Sequence, residues 1–141
     1  MEQIRGLEIS DLEPVMKIWL DANTGAHSFI PETYWQSYYE EVRELLPQAE
    51  VYVYEEDGKI AGFLGLTENY IAGVFVKESA RSRGIGKQLL DYAKGIRQEL
   101  SLSVYQKNSR AVRFYEREGF TVQSEHIDDE TAEKEWIMKW R

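Results

Sequence analysis

Apolar positions along the chain alternate between strand-like and helix-like spacing, and the switches outline the elements. Residues 2–9 (Glu2 to Ile9) read as a short strand. Ser10-Asp11-Leu12-Glu13 has the form of a capping box, with Ser10 as N-cap and Glu13 three residues on. Leu12, Val15, Met16 and Trp19 then recur at helical spacing, which predicts a helix to about Ala22. Gly25 and Pro31 make residues 23–31 a loop, and a second helix follows with Tyr34, Trp35, Tyr38, Val42 and Leu45 on one face and Pro47 beyond its end. Val51 to Glu56 and Ile60 to Thr67 are strands joined by Asp57-Gly58, which tolerate the positive φ of a type I′ turn. Tyr70 to Val76 is mostly apolar, as a central strand is. A polar loop, Lys77 to Arg83, leads to a helix from Gly84 to about Gln98, striped by Ile85, Leu89, Ala93 and Ile96. A strand (Leu100 to Tyr105), a short helix (Ser109 to Glu118), a strand (Phe120 to Glu125) and a last strand (Glu135 to Trp140) complete the chain. The order β-α-α-β-β-β-α-β-α-β-β predicts an α+β fold with a mixed, mostly antiparallel central sheet, helices on both faces and one domain over residues 1–141.

Composition narrows the function. With 43% apolar residues in 141, the chain can bury a core. No apolar run approaches the roughly 20 residues of a membrane span, and the N-terminus lacks the form of a signal peptide, so a soluble cytoplasmic protein with no membrane partner is expected. No cysteine is present, which excludes disulfides, thiolate metal sites and a thiol nucleophile; no metal is expected. A net charge of −8 disfavours a nucleic-acid partner, which needs a broad basic face.

Against that acidic background one segment reverses sign. Val74-Phe75-Val76 feeds Lys77-Glu78-Ser79-Ala80-Arg81-Ser82-Arg83-Gly84-Ile85-Gly86-Lys87, a strand, a polar turn and two glycines opening a helix. The first amides of a helix lack internal partners and sit at the positive end of its dipole, and glycine lets an anion approach the backbone. Arg81, Arg83 and Lys87 add charge. A Walker loop would need glycine where Arg81 stands, and a dinucleotide fingerprint would need a third glycine at Leu89. By itself the segment indicates a phosphate or pyrophosphate, or a helix that uses glycine for close packing.

Arg81-x-x-Gly84-x-Gly86 after a central strand resembles the pyrophosphate loop of the GNAT superfamily, the acetyl-CoA-dependent N-acetyltransferases. Downstream, Asn108-x-x-Ala111-x-x-Phe114-Tyr115-x-x-x-Gly119-Phe120 is similar to the other hallmark of that family, and the element order agrees over nearly the whole chain. The His27-x-Phe29-Ile30…Tyr34-Trp35 segment and the ending Trp136-Ile137-Met138-x-Trp140 resemble a bacterial branch that includes protein lysine acetyltransferases. The resemblance implies splayed central strands opening a slot for the acyl arm. It implies that backbone groups of Phe75 and Val76 pair with pantetheine, and that amides of Arg81, Ser82, Arg83, Gly84, Ile85, Gly86 and Lys87 hold the pyrophosphate. Asn108 would bond nearby cofactor atoms, and Tyr115 would face the thioester sulfur as acid. His27, Phe29, Trp35 and Tyr70 would line the acceptor side.

The implied reaction is direct attack of a primary amine on the acetyl-CoA thioester. A lysine amine with pKa ~10.4 is neutral about once in a thousand molecules at pH 7.5, a deficit of ~4 kcal/mol. A general base supplying ~10²–10⁴-fold offsets much of it. Relatives place a glutamate second after an isoleucine on the strand before the loop; here Ile71 is followed by Ala72. Glu68 acting through water, and His27, are the titratable candidates, each with a surface role as its alternative. Tyr115, pKa ~10, can donate to a departing thiolate, pKa ~8.5; its alternative is a core tyrosine. The rival to an enzyme is a non-catalytic acetyl-CoA-binding sensor or interaction module. Lysine, a protein N-terminus, a polyamine and a small amine are all open as acceptors, and negative net charge favours a cationic one.

Overall fold

A computed structural model describes residues 3–81 and 83–141. Met1, Glu2 and Ser82 lie outside the described residues, and with Ser82 one of the expected loop positions. In chain order the elements are β1 (Ile4–Gly6), α1 (Leu12–Ala26), α2 (Glu32–Leu45), β2 (Glu50–Glu56), β3 (Lys59–Thr67), β4 (Tyr70–Val76), α3 (Ile85–Ile96), β5 (Leu100–Tyr105), α4 (Ser109–Arg117), β6 (Thr121–Ile127) and β7 (Lys134–Trp140), with short 3₁₀ turns between some of them. The order is the expected one. Seven strands form a single sheet, β1-β2-β3-β4-β5-β7-β6, antiparallel throughout except for β4 against β5. β4 is its central strand.

Alternation along the strands sends apolar side chains to both faces, and a helical layer covers each. On one face Leu64, Ile71, Leu102, Val104 and Met138 pack with Ile85, Leu89, Leu90 and Ala93 of α3 and with Tyr115 of α4. On the other, Val51, Val53, Phe63 and Tyr105 pack with Val15, Met16, Trp19 and Trp35 of α1 and α2. Asp57 and Gly58 both take positive φ (53° and 77°), as the hairpin between β2 and β3 requires.

Several boundaries differ from the sequence reading for local reasons. β1 is short, and Ser10 does not cap α1; it lies in a 3₁₀ turn, Ile9–Asp11, that feeds the helix. There the Asp11 carboxylate accepts the Glu8 amide at 2.8 Å while Arg5 holds it with two hydrogen bonds, at 2.7 and 3.0 Å. α1 continues to Ala26 because Asn23 and Thr24, residues that suggest a loop, donate back to the carbonyls of Trp19 and Leu20, each at 2.9 Å. Leu45, expected on the apolar face of α2, is 56% exposed in its last turn. α3 starts one residue after Gly84, which is its left-handed N-cap with φ 82°, and stops at Ile96 rather than Gln98. The acidic segment between β6 and β7 is tied to the helical layer and the sheet. Glu130 accepts hydrogen bonds from the hydroxyls of Tyr34 (2.9 Å) and Tyr38 (2.5 Å), and Asp128 accepts one from Tyr105 at 2.6 Å. Tyr38, on the apolar face of α2, is half-buried against the core on that side of the sheet.

Candidate active site

The parallel pairing of β4 with β5 ends almost as it begins. Tyr70 pairs with Ser101 and Ile71 with Leu102, after which the strands diverge. A cleft of about 950 Å³ opens between Ala72–Val76 and Ser103–Tyr105, with α3 and α4 at one end and the α1–α2 loop at the other. Its size falls within the range of small-molecule sites. Gly73 makes the local geometry feasible: a Cβ there would lie 2.3 Å from the Phe75 ring, which folds over it to stack on Phe63 at 4.9 Å.

The α3 end is built for an anion. The first hydrogen bond inside α3 runs from the Gln88 amide to the Gly84 carbonyl at 3.0 Å, so the amides of Ile85, Gly86 and Lys87 have no partner within the helix. Among the described residues nothing lies within 4 Å of where a Gly84 Cβ would be, which leaves the approach to those amides open. Gly86 serves packing instead, since a Cβ there would sit 3.4 Å from Phe114 of α4. Arg81 and Lys87 line the cleft, as do the backbone positions Phe75 and Val76. Arg83 does not: its guanidinium turns to Glu56, 2.5 Å away. Arg110 and Arg117 of α4 also line the cleft. Sequence reading missed this pair, although both lie within the second motif.

Midway along, Tyr115 is both a core residue and a lining residue, so its two readings are compatible. It is 8% exposed, packs against Phe114 and Phe120 at 5.2 and 5.7 Å between ring centres, and borders the cleft. Burial, and then the nearby Tyr70 phenol, push its pKa well above the ordinary tyrosine value. Tyr70 lies at the cleft mouth, 40% exposed. Ala72 offers no carboxylate, as the sequence shows.

The far end is aromatic. His27 stacks on Trp35 (5.3 Å, 30°) and meets Phe29 and Tyr105 edge-on at 5.7 and 5.0 Å. His27 and Trp35 line the cleft; Phe29 supports them from behind, bordering a separate shallow depression over α2. Asn108 caps α4 by accepting the Ala111 amide at 3.3 Å through Oδ1, so its Nδ2 is the group that faces His27 Nε2 at 3.3 Å. Nε2 therefore accepts, and the ring proton belongs on Nδ1, which is buried without a partner among the described residues. Burial drives the His27 pKa down to about 4, keeping the ring neutral. Its one lone pair is occupied, which removes His27 from the list of available bases.

Glu68 is not brought to the cleft. It occupies the tight turn between β3 and β4 with φ 55°, exposed, and Arg97 donates to its carbonyl at 2.9 Å. A carboxylate of the last strand, not among the sequence candidates, is there instead. Glu135 opens β7 opposite Tyr105 and lines the cleft. Strand alternation held the signal, since Glu135 shares a face with Ile137 and Lys139, opposite Trp136, Met138 and Trp140.

A model of the acetyltransferase (GNAT) domain matches residues 47–122. The chain is 40% identical to the peptidyl-lysine N-acetyltransferase YiaC of Escherichia coli (strain K12) over 139 residues, covering 97% of this chain and 95% of that one. It is 30% identical to the peptidyl-lysine N-acetyltransferase YjaB of Salmonella typhimurium over 131 residues, 92% and 90% of the two chains. The solution structure of apo-form YjaB from Escherichia coli superposes with a TM-score of 0.87 at 26% identity, covering 97% and 95%.

Proposed function

The chain belongs to the GNAT acetyltransferase family and transfers an acetyl group from acetyl-CoA to an amine; on that premise we propose that its acceptor is the lysine side chain of a peptide or protein. The observation that carries this reading is the split character of the cleft. One end is cationic and rich in free amides, and the other is a wall of uncharged rings. A lysine's four-carbon stem packs on such rings while its ammonium travels toward the thioester. A charged imidazole at His27 would repel that ammonium, and burial keeps it neutral. Lys107, 5.4 Å above the Phe29 ring, is paired with Glu133 at 3.1 Å. The names of the two relatives at 40% and 30% identity agree with a peptide acceptor.

In the donor half, the amides of Ile85, Gly86 and Lys87 would bind the pyrophosphate, with Arg81 at the rim and the unpaired edge of β4 at Phe75 and Val76 along the pantetheine. Acetyl-CoA supplies an activated thioester. Tyr115 would hold its proton at the phenol oxygen, donating as charge gathers on the departing sulfur. Tyr70, beside it, would close the mouth against water. Asn108 joins the two halves by capping α4 and fixing the His27 ring. The test is incubation of the chain with acetyl-CoA and, separately, a lysine peptide, the same peptide with a free N-terminus and no lysine, and spermidine, with acetylated products read by mass spectrometry. Lysine acetylation faster than the other two by tenfold or more in kcat/KM is expected; equal or preferred transfer to spermidine would overturn the acceptor.

A further inference from the structure

We propose that Glu135 is the general base that removes the acceptor's proton, in place of the strand carboxylate that Ala72 lacks. The inference rests on the lysine acceptor argued above. Two carboxylates line the cleft among the described residues, Glu118 and Glu135. Glu118 lies in the cationic half and faces Lys87 at 3.5 Å. Among the described residues Glu135 has no lysine or arginine partner; the exposed His126 ring stands 4.0 Å away. Its side chain is 16% exposed, so a half-dry carboxylate looks into the cleft without a fixed counter-ion. Leaving such a group unpaired is unfavourable unless a cation visits it.

Position supports the same role. Tyr105 and Glu135 are directly opposed in the β5–β7 ladder, and opposed residues project from the same face of the sheet. The Tyr105 ring contacts His27 and Phe29, so Glu135 stands beside the aromatic acceptor wall rather than the anion end. The other candidates fall away on geometry: the His27 lone pair is taken by Asn108, and Glu68 is outside the cleft. Burial, and then the Asp128 carboxylate, raise the Glu135 pKa above its ordinary value, with His126 opposing, which brings the group closer to the pH at which a base works best.

The acceptor ammonium gives one proton to the Glu135 carboxylate and becomes a neutral amine, which attacks the thioester carbonyl. A C–N bond forms, the C–S bond breaks, and the sulfur takes a proton from Tyr115. The proton shed by the acylated nitrogen restores Tyr115, and Glu135 releases its own to water, leaving the amide, the thiol and one proton.

Glu135→Gln keeps the side chain's shape and removes the basic oxygen. On a lysine peptide at pH 7.5 it should lower kcat by about 100-fold or more, the scale of a lost general base. Acetyl-CoA affinity by calorimetry and the thermal melt should be unchanged. The discriminating arm is a peptide carrying a hydrazide in place of the lysine amine, which is already neutral at that pH and should be acetylated by Glu135→Gln at nearly the wild-type rate. An equal loss on both peptides would overturn the proposal in favour of a structural role. A raised KM with unchanged kcat would also overturn it, leaving Glu135 as a binding charge only. If Glu135→Gln does not fold, Glu135→Asp, with its carboxylate one methylene back, reads the same split between acceptors. A wild-type chain that binds acetyl-CoA and leaves every lysine peptide unmodified would overturn the acceptor itself and Glu135's role with it, whereas a fully active Glu135→Gln would overturn Glu135 alone.

Discussion

Tyr115 shows how one residue can serve packing and chemistry together. Its ring fills a place between Phe114 and Phe120, and its edge borders the cleft. Burial raises its pKa, which favours the protonated phenol and keeps it a donor. Replacing it with phenylalanine keeps the ring and deletes the donor. A hydrogen bond to a developing charge is worth about 1.5–3 kcal/mol, so Tyr115→Phe should slow turnover by roughly 10- to 150-fold. Acetyl-CoA affinity should hardly change, because a thioester sulfur accepts weakly before it carries charge. Undiminished kcat in the variant would take Tyr115 out of the mechanism. Motif spacing made Tyr115 legible in the sequence, as it did Asn108. Alternation along β7 puts Glu135 on the face of Ile137 and Lys139, but its place beside Tyr105 at the cleft depends on the register of β7 against β5, which no local pattern fixes.

The α3 N-terminus is where a single element carries a binding function, and its test has to separate charge from backbone strain. Gly84 adopts φ 82°, a conformation that disfavours side chains, although a Cβ there would meet open space. Gly84→Asp alone would therefore mix strain with repulsion. Asparagine tolerates the left-handed region about as well as aspartate and carries no charge. Both variants should lose similar thermal stability, about 1 kcal/mol for a side chain in that region. Gly84→Asp should weaken acetyl-CoA binding at least tenfold beyond Gly84→Asn, measured by calorimetry at low salt, where the helix-end field is least screened. Matching dissociation constants would place the pyrophosphate elsewhere. At this scale the chain was read well: every helix and strand was foreseen in order, because long apolar stripes dominate local choices. At α1 the misplaced ends arose where a side chain bonds back to the main chain, as Asn23 does to Trp19 and Asp11 to Glu8. Such bonds extend or redirect helices without altering hydrophobic period.

Across the whole molecule, the two helical layers are separated by the sheet everywhere except at the splay, and there the contact between Asn108 of α4 and His27 of the α1–α2 loop bridges them. Protonating His27 would put a second donor against the Asn108 amide and a charge among Trp35, Phe29 and Tyr105, so acid should loosen the acceptor wall before it unfolds the core. The sign follows from the shift. The ring's pKa falls from an ordinary 6.5 to about 4 in the fold, so between those values the unfolded chain binds more protons and stability rises with pH. The Asp11 carboxylate, held below its ordinary 3.8 by Arg5, adds stability that is lost only at still lower pH, which keeps the two windows apart. Glu135, its pKa raised by burial, contributes the opposite slope in both chains, so urea midpoints measured from pH 3 to 7 should climb more steeply between 4 and 6.5 for the wild type than for His27→Gln, whatever the variant's absolute stability. Both should fall together below pH 4. A slope in His27→Gln as steep as the wild type's would mean that other groups govern the acid side, and the His27 ring would then be free to take up a proton without disturbing the wall it belongs to.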